Sequence, residues 1–325
     1  MKVCDMHCDT IYLLNDARLE GKEYSLRSNE LNISLEKMKK GDYLIQNFAM
    51  FTHLKENEPV KHVMDMIDTF YLEMDKNKDL IEIIYNYDDI ERIIQEGKMG
   101  GLLTLEEGAV VNNDLSYLRN YYRLGVRMIT LTWNFSNGIG HPNFDINGES
   151  HGYYEFDDVN GLTEFGIAYI KEMERLGIII DVSHLSDAGF YDVLKYTDAP
   201  FVASHSNARE VCPHARNMSD DMILKLARRG GVMGINYADS FLNDQGNMSL
   251  VEDMVKHIDY IKNLAGIDCI GLGSDFDGID QNLEMKDCSQ LSMLENALYE
   301  HGYTKEEVEK IFYKNVLRLY KQVLK

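Results

Sequence analysis

Short apolar runs rich in β-branched residues alternate with segments of helical period along almost the whole chain, and this alternation limits the fold more than any other feature. The runs fall at Val3–Met6, Tyr43–Met50, Gly100–Leu105, Val126–Thr132, Ile178–Val182, Phe201–Ala203, Val232–Asn236 and Cys269–Gly273. Between them lie amphipathic stretches. After Pro59, for example, Val60, Val63, Met64, Ile67, Phe70 and Met74 make an i, i+3, i+4, i+7 stripe. Ser249 with Glu252, and Thr304 with Glu307, have the spacing of capping boxes, while Gly97, Gly125, Gly177 and Gly266 stand where helices should stop. Eight strands alternating with helices in 325 residues predict an α/β fold, a (β/α)8 TIM barrel. A doubly wound sheet is the rival, but no GxGxxG follows a strand and there is no Walker loop, which weakens its nucleotide-binding form. No low-complexity linker divides the chain, so residues 1–325 read as a single barrel domain. The longest stretch without periodicity runs from Asn134 to Gly161, a length common in functional lids.

A formal charge of −21 argues against nucleic acid or an anionic membrane surface as partner, since phosphate binding needs basic surface. The five cysteines, Cys4, Cys8, Cys212, Cys269 and Cys288, are odd in number, scattered and without a CxxC pair, which fits a reducing compartment. No basic-then-apolar leader opens the sequence, and no apolar stretch approaches the ~20 residues of a membrane helix. A soluble, cytoplasmic protein is the expectation.

In a barrel of this kind the chemistry sits at the C-terminal ends of the strands. There the first run leads into His7 and Asp9, the third into Glu106-Glu107, and the fourth into Trp133-Asn134. The fifth leads through Asp181 to His184, the sixth to His205, and the eighth to Asp275 and Asp277. A single histidine at a strand end is more often structural than a ligand, Glu106 can cap a helix, and Asp275 can close a turn. Three histidines in register with several carboxylates favour a metal centre. Two His–carboxylate subsites sharing one carboxylate would hold two divalent cations at ~3.5–4 Å and activate a bridging water. Nitrogen and oxygen donors without thiolate suit zinc first, with manganese, cobalt or iron as alternatives. Glu106 and Glu107 are not distinguished by sequence. Cys4 and Cys8 read as packing residues turned away from the His7 face. His53, His62, His257 and His301 read as surface residues, and His141 and His151 as solvated loop residues. Arg209 and Arg216 follow His205, where an arginine can fix a substrate carboxylate. A surface salt bridge suits Arg209 better.

Taken in order, several motifs resemble the membrane (renal) dipeptidase family, peptidase family M19. They are Asp5-Met6-His7-Cys8-Asp9-Thr10, Leu105-Glu106-Glu107-Gly108, the Gly125 to Thr132 run, Asp181-Val182-Ser183-His184, Ser204-His205-Ser206-Asn207-Ala208, Arg216-Asn217 and Gly273-Ser274-Asp275-Phe276-Asp277-Gly278. The resemblance implies an amidohydrolase-type barrel with two Zn2+ per chain that hydrolyses dipeptides through a bridging hydroxide. It implies one zinc on His7 and Asp9, the other on His184 and His205, and Glu106 between them. It further implies that Arg216 holds the C-terminal carboxylate, that Asp275 serves the bridging water, that a D-configured C-terminal residue is accepted, and that the chain pairs as a homodimer. One departure stands out: mammalian members read Leu-Thr-His where this chain has Leu131-Thr132-Trp133-Asn134. Indole donates one hydrogen bond and does not titrate near neutrality, so Trp133, Asn134, a loop histidine or the zinc itself is left to contact the substrate. A related metal hydrolase of another specificity, an N-acyl amino acid deacylase or lactonase, is the alternative. A silent metal-binding scaffold is a third, disfavoured by the intact His7, Asp9, Glu106, His184, His205 and Asp275.

Overall fold

The computed structural model describes residues 1–146, 154–245 and 247–325. Among them nine strands form one parallel sheet: β1 Val3–Asp5, β2 Tyr43–Phe51, β3 Ile81–Ile83, β4 Met99–Glu106, β5 Val126–Thr130, β6 Ile179–Asp181, β7 Val202–Ala203, β8 Val232–Ile235 and β9 Ile270–Leu272. Pairing passes from β1 through β2, β4, β5, β6, β7, β8 and β9 and returns to β1, so eight strands close a (β/α)8 barrel. These eight are the apolar runs of the sequence, trimmed or extended by one or two residues.

The ninth strand was not expected. Ile81–Ile83 pairs with Met99–Gly101, the part of the β4 edge that lies before β5 takes over at Leu103. Its three residues are too few to rise above a helical background.

Local signals mostly hold. The helix Pro59–Lys76 starts on Glu58, whose side chain accepts the Lys61 N–H, and buries Val63, Ile67, Phe70 and Met74. Met66 joins that face, and Met64 turns outward. Thr304 and Glu307 form a capping box, and the four glycines all adopt positive φ. Ser249 does not cap. Its helix begins at Val251, whose N–H donates at 2.8 Å to the Glu284 carboxylate arriving from elsewhere in the fold. His62 and His257 are also not surface residues. His62 Nδ1 bonds Thr52 Oγ1, and His257 accepts the Ala208 N–H on Nδ1 while Nε2–H donates to the Leu242 carbonyl. All five cysteines are free and buried, and no helix among the described residues is long and apolar enough to cross a membrane.

Because every barrel strand is parallel, the C-terminal ends share one mouth. The register places Phe51, Glu106, Thr130 and Asp181 side by side across four strands.

Candidate active site

Six side chains converge on that mouth. His7 and Asp9 follow β1, Glu106 ends β4, and His184, His205 and Asp275 follow β6, β7 and β9. None of the six exceeds 9 % relative exposure. Glu106 stands in the middle, with Oε2 3.1 Å from His7 Nε2. Its other oxygen, Oε1, is 3.1 Å from His184 Nε2 and 3.7 Å from His205 Nε2. On the first side His7 Nε2 also lies 3.4 Å from Asp9 Oδ2 and 3.8 Å from Asp275 Oδ1. The arrangement is two donor sets that share one carboxylate, one oxygen to each.

These residues fit a divalent cation. Two bonds of ~2.0–2.2 Å diverging from one ion separate their donor atoms by about 3.3 Å, close to the spacings found. Asp9 Oδ1 is buried without a hydrogen-bond partner among the described residues, and His7 Nε2 faces only the carboxylate oxygens of the cluster. An orphaned acceptor is costly unless a ligand claims it. Burial opposes charge on His7, yet the Glu106 and Asp9 carboxylates outweigh it and raise its pKa well above the usual histidine range. The field at this point favours a cation.

The alternation of β4 settles the paired glutamates. Glu107 points away from the cluster and accepts N–H bonds from Ala109 (2.9 Å) and Trp133 (3.0 Å), and a third from Asn137 Nδ2.

A second layer of groups sets the histidine tautomers. His184 Nδ1 donates at 2.8 Å to Asn134 Oδ1. His205 Nδ1 donates at 2.7 Å to Ser204 Oγ, whose own hydrogen goes to Asp181 Oδ2 at 2.5 Å. Both rings are therefore left with a bare Nε2 facing Glu106. Burial, with Arg216 adding, lowers His184 to about 4, and burial with the His7 charge lowers His205 well below its ordinary value. Asp181 also accepts from Thr130 Oγ1 and the Ser183 and Ser204 N–H groups, tying β5, β6 and β7. Asp5 plays the same part between β1 and β9, taking the His7 and Ser274 N–H groups. The backbone is strained here: His184, Asp275 and Asp277 have φ of 69°, 62° and 70°, a left-handed conformation that L side chains adopt at a cost.

The cluster floors a cavity of about 410 Å3 walled by Tyr12, Phe51, Trp133 and Phe241. Trp133 packs against Phe51 at 5.0 Å and against Phe135 and His53 at 5.4 Å, and its ring lies 6.2 Å from that of His184. His53, read as a surface residue, is thus packed behind the tryptophan wall. Asn134 lines the cavity, but its Oδ1 is committed to His184.

Arg216 is buried, donating to the Ser206 hydroxyl at 3.3 Å and the His205 carbonyl at 3.2 Å, with Nε unpartnered and the guanidinium over the Phe241 ring. Burial lowers it to about 10, against the pull of Asp275 and Glu106. No carboxylate among the described residues pairs with it directly. Arg209 does find a carboxylate, as expected, but inside the protein: both its terminal nitrogens lie 2.7 Å from Asp187 oxygens. Of the loop histidines, His141 Nδ1 bonds Ser136 Oγ at 3.0 Å, and His151 lies outside the described residues. Asp5 and Asp181 stand in the motifs singled out above, but their supporting parts, and that of Asn236, were missed because their partners sit on neighbouring strands.

A model of the membrane dipeptidase family, peptidase family M19, matches residues 1–325. The chain belongs to this family. An uncharacterized dipeptidase of Schizosaccharomyces pombe is 33 % identical over 340 residues, covering 99 % of this chain and 80 % of its own length. Dipeptidase tcpJ of Claviceps purpurea is 31 % identical over 274 residues, 84 % of this chain and 62 % of that protein. Among solved structures, the M19 metallo peptidase described as dipeptidase AC superposes with a TM-score of 0.90 at 26 % identity, covering 100 % of this chain and 99 % of the other. A metallo peptidase from Rhodobacter sphaeroides, crystallised with a phosphinate mimic of the dipeptide L-Ala-D-Ala, gives 0.89 at 25 % identity over 99 % of both chains. M19 membership makes this chain a metal-dependent hydrolase acting on dipeptides.

Proposed function

We propose that this dipeptidase works with two zinc ions, one on His7 and Asp9, the other on His184 and His205, with Glu106 between them. The observation that carries the reading is the division of the Glu106 oxygens, Oε2 toward His7 and Oε1 toward His184 and His205. Bound there, the ions would supply Lewis acidity toward the peptide carbonyl and a nucleophilic water near neutral pH.

The chain's own groups do the rest. Burial, reinforced by the Asp9 and Glu106 carboxylates and opposed by the His7 charge, raises Asp275 to about 7, and its carboxylate at the edge of the cluster is the group placed to move protons. Asn236 Nδ2 donates to its Oδ2 at 2.8 Å. That anchor leaves Oδ1 to take the proton of the attacking water and return it to the leaving amine. Arg216 is a buried cation with an unpartnered Nε, and a substrate's terminal carboxylate supplies the missing anion. Only a dipeptide puts that carboxylate on Arg216 while its single amide lies over the metals. Trp133 forms a neutral, aromatic wall where mammalian members carry histidine, so its own contact with substrate is steric plus at most one indole N–H, with Asn134 Nδ2 beside it as a further donor.

The mimic held by the Rhodobacter sphaeroides relative supports a D-configured C-terminal residue here. A panel of L,L and L,D dipeptides beside N-acetyl amino acids, assayed on zinc-loaded protein, tests the reading. Hydrolysis of dipeptides with L-Ala-D-Ala among the better substrates is expected. Cleavage of the N-acetyl compounds alone would replace it with a deacylase.

A further inference from the structure

Asn143, in the long loop after β5, is 3 % exposed, and its backbone N–H and its whole side-chain amide are hydrogen-bonded. Its backbone N–H donates to the His184 carbonyl at 3.0 Å. Its side-chain Nδ2 donates at 2.9 Å both to Asp187 Oδ1 and to the Ala215 carbonyl. Oδ1 in turn accepts the Asp157 N–H at 2.9 Å and the Asp187 N–H at 3.1 Å. One residue therefore touches His184, whose φ of 69° needs an outside hold, and the peptide unit that leads into Arg216.

The other side of Arg216 is pinned through the same node. Arg209, forked onto Asp187, donates from Nε to the Asn217 carbonyl at 2.9 Å. The Arg216 N–H itself donates to His214 Nδ1 at 3.0 Å. The carbonyls before and after Arg216 are thus held by Asn143 and Arg209, and both holders meet on one buried carboxylate.

We infer that Asn143 is the positioning residue that fixes the span between the metal cluster at His184 and the guanidinium of Arg216, and thereby the selection of substrates one residue long beyond the scissile amide. The inference rests on the reading of Arg216 as the carboxylate site. A substrate held at both ends is sensitive to that span, because a displacement of about 1 Å at a reacting centre costs on the order of a hundredfold in rate. Asn143 touches neither substrate nor metals, so its effect falls on the fit of the carboxylate end.

The test compares L-Ala-D-Ala with its C-terminal amide, which lacks the carboxylate, in zinc-loaded wild type, Asn143→Ala, Arg209→Lys and Arg216→Met. Arg209→Lys keeps the charge opposite Asp187 but loses the fork and the bond to Asn217, and it carries the test if Asn143→Ala does not fold. Asn143→Ala should raise KM for the free acid by about tenfold, the value of one or two hydrogen bonds. The kcat/KM for the amide and the zinc content should stay near wild type. Arg209→Lys should shift the same ratio in the same direction, by less. A merely structural role would lower both substrates together or lower the melting temperature alone, leaving the acid-to-amide ratio at its wild-type value, and that result overturns the inference. If Arg216→Met itself leaves the ratio unchanged, the carboxylate reading has failed instead.

Discussion

The Nε2 atoms of His184 and His205 stand 3.1 Å apart, and neither has a hydrogen to offer the other. Asn134 and Ser204 take the Nδ1 hydrogens, and burial keeps both rings neutral. Two lone pairs at that distance repel unless a cation lies against both, which is what a metal subsite supplies.

Asp181 is the key to the His205 half of that pair. In Asp181→Asn the Ser204 hydroxyl loses its acceptor, and the proton on His205 is no longer held on Nδ1. Metal affinity on the His184–His205 side should fall by about 10–100-fold. Elemental analysis after dialysis should find the content dropping from two ions toward one. Wild-type retention of both would show that the tautomer clamp is unimportant.

Asp275→Asn tests proton transfer apart from metal binding, which the proposal assigns to His7, Asp9, Glu106, His184 and His205. Turnover of L-Ala-D-Ala should fall by about 10²–10⁴-fold, the usual worth of a positioned acid–base group, with zinc content unchanged. Near-normal turnover would remove Asp275 from the mechanism.

Gly278 leaves room for the first subsite. A Cβ there would come within 2.1 Å of Asp9 Oδ2 and 2.8 Å of Asp275 Oδ1. Gly278→Ala should therefore weaken zinc on the His7–Asp9 side and cut kcat/KM by at least about a hundredfold, while the melting temperature moves little. Unaltered kinetics would mean that the two carboxylates can move aside freely.

Stability should fall on mild acidification. Burial is the largest cause that lowers both His257 and His214 to about 4, with Arg216 and Arg209 adding at His214. The unfolded histidines titrate near 6.5, so between about pH 6.5 and 4 the unfolded chain binds more protons. The stabilising contribution is complete above about 6.5 and is lost as pH falls through that window. At about pH 5 the loss is about 2 kcal/mol for the fully buried His257. Urea midpoints of wild type and His257→Gln at about pH 7.5 and 5 measure it. The variant should show the shallower pH dependence, and equal slopes would contradict the assignment.

The barrel was legible because buried parallel strands read as apolar runs, and every run ended where the structure ends a strand, within two residues. The convergence of the site side chains was legible for the same reason: His7, Glu106, His184, His205 and Asp275 each sit just past or at such an end. Glu107 could not be separated from Glu106, since that choice depends on which face of β4 looks inward. His257 was misplaced although Met254, His257, Ile258 and Ile261 make a buried helical stripe; its polarity hid its position. Asn143 and Asn236 left no local trace, and Asp181, though it stands in the run before His184, showed nothing of its supporting part. Their partners lie on other strands and loops, and only the closed barrel brings them together.

The central claim is a pair of metal sites that share Glu106 and serve dipeptide hydrolysis. Zinc titrated into metal-stripped protein, with L-Ala-D-Ala turnover followed at each addition, tests it most directly. Activity should be negligible at the start and reach its plateau at two zinc ions per chain. A plateau at one ion, or full turnover before any zinc is added, would contradict the account.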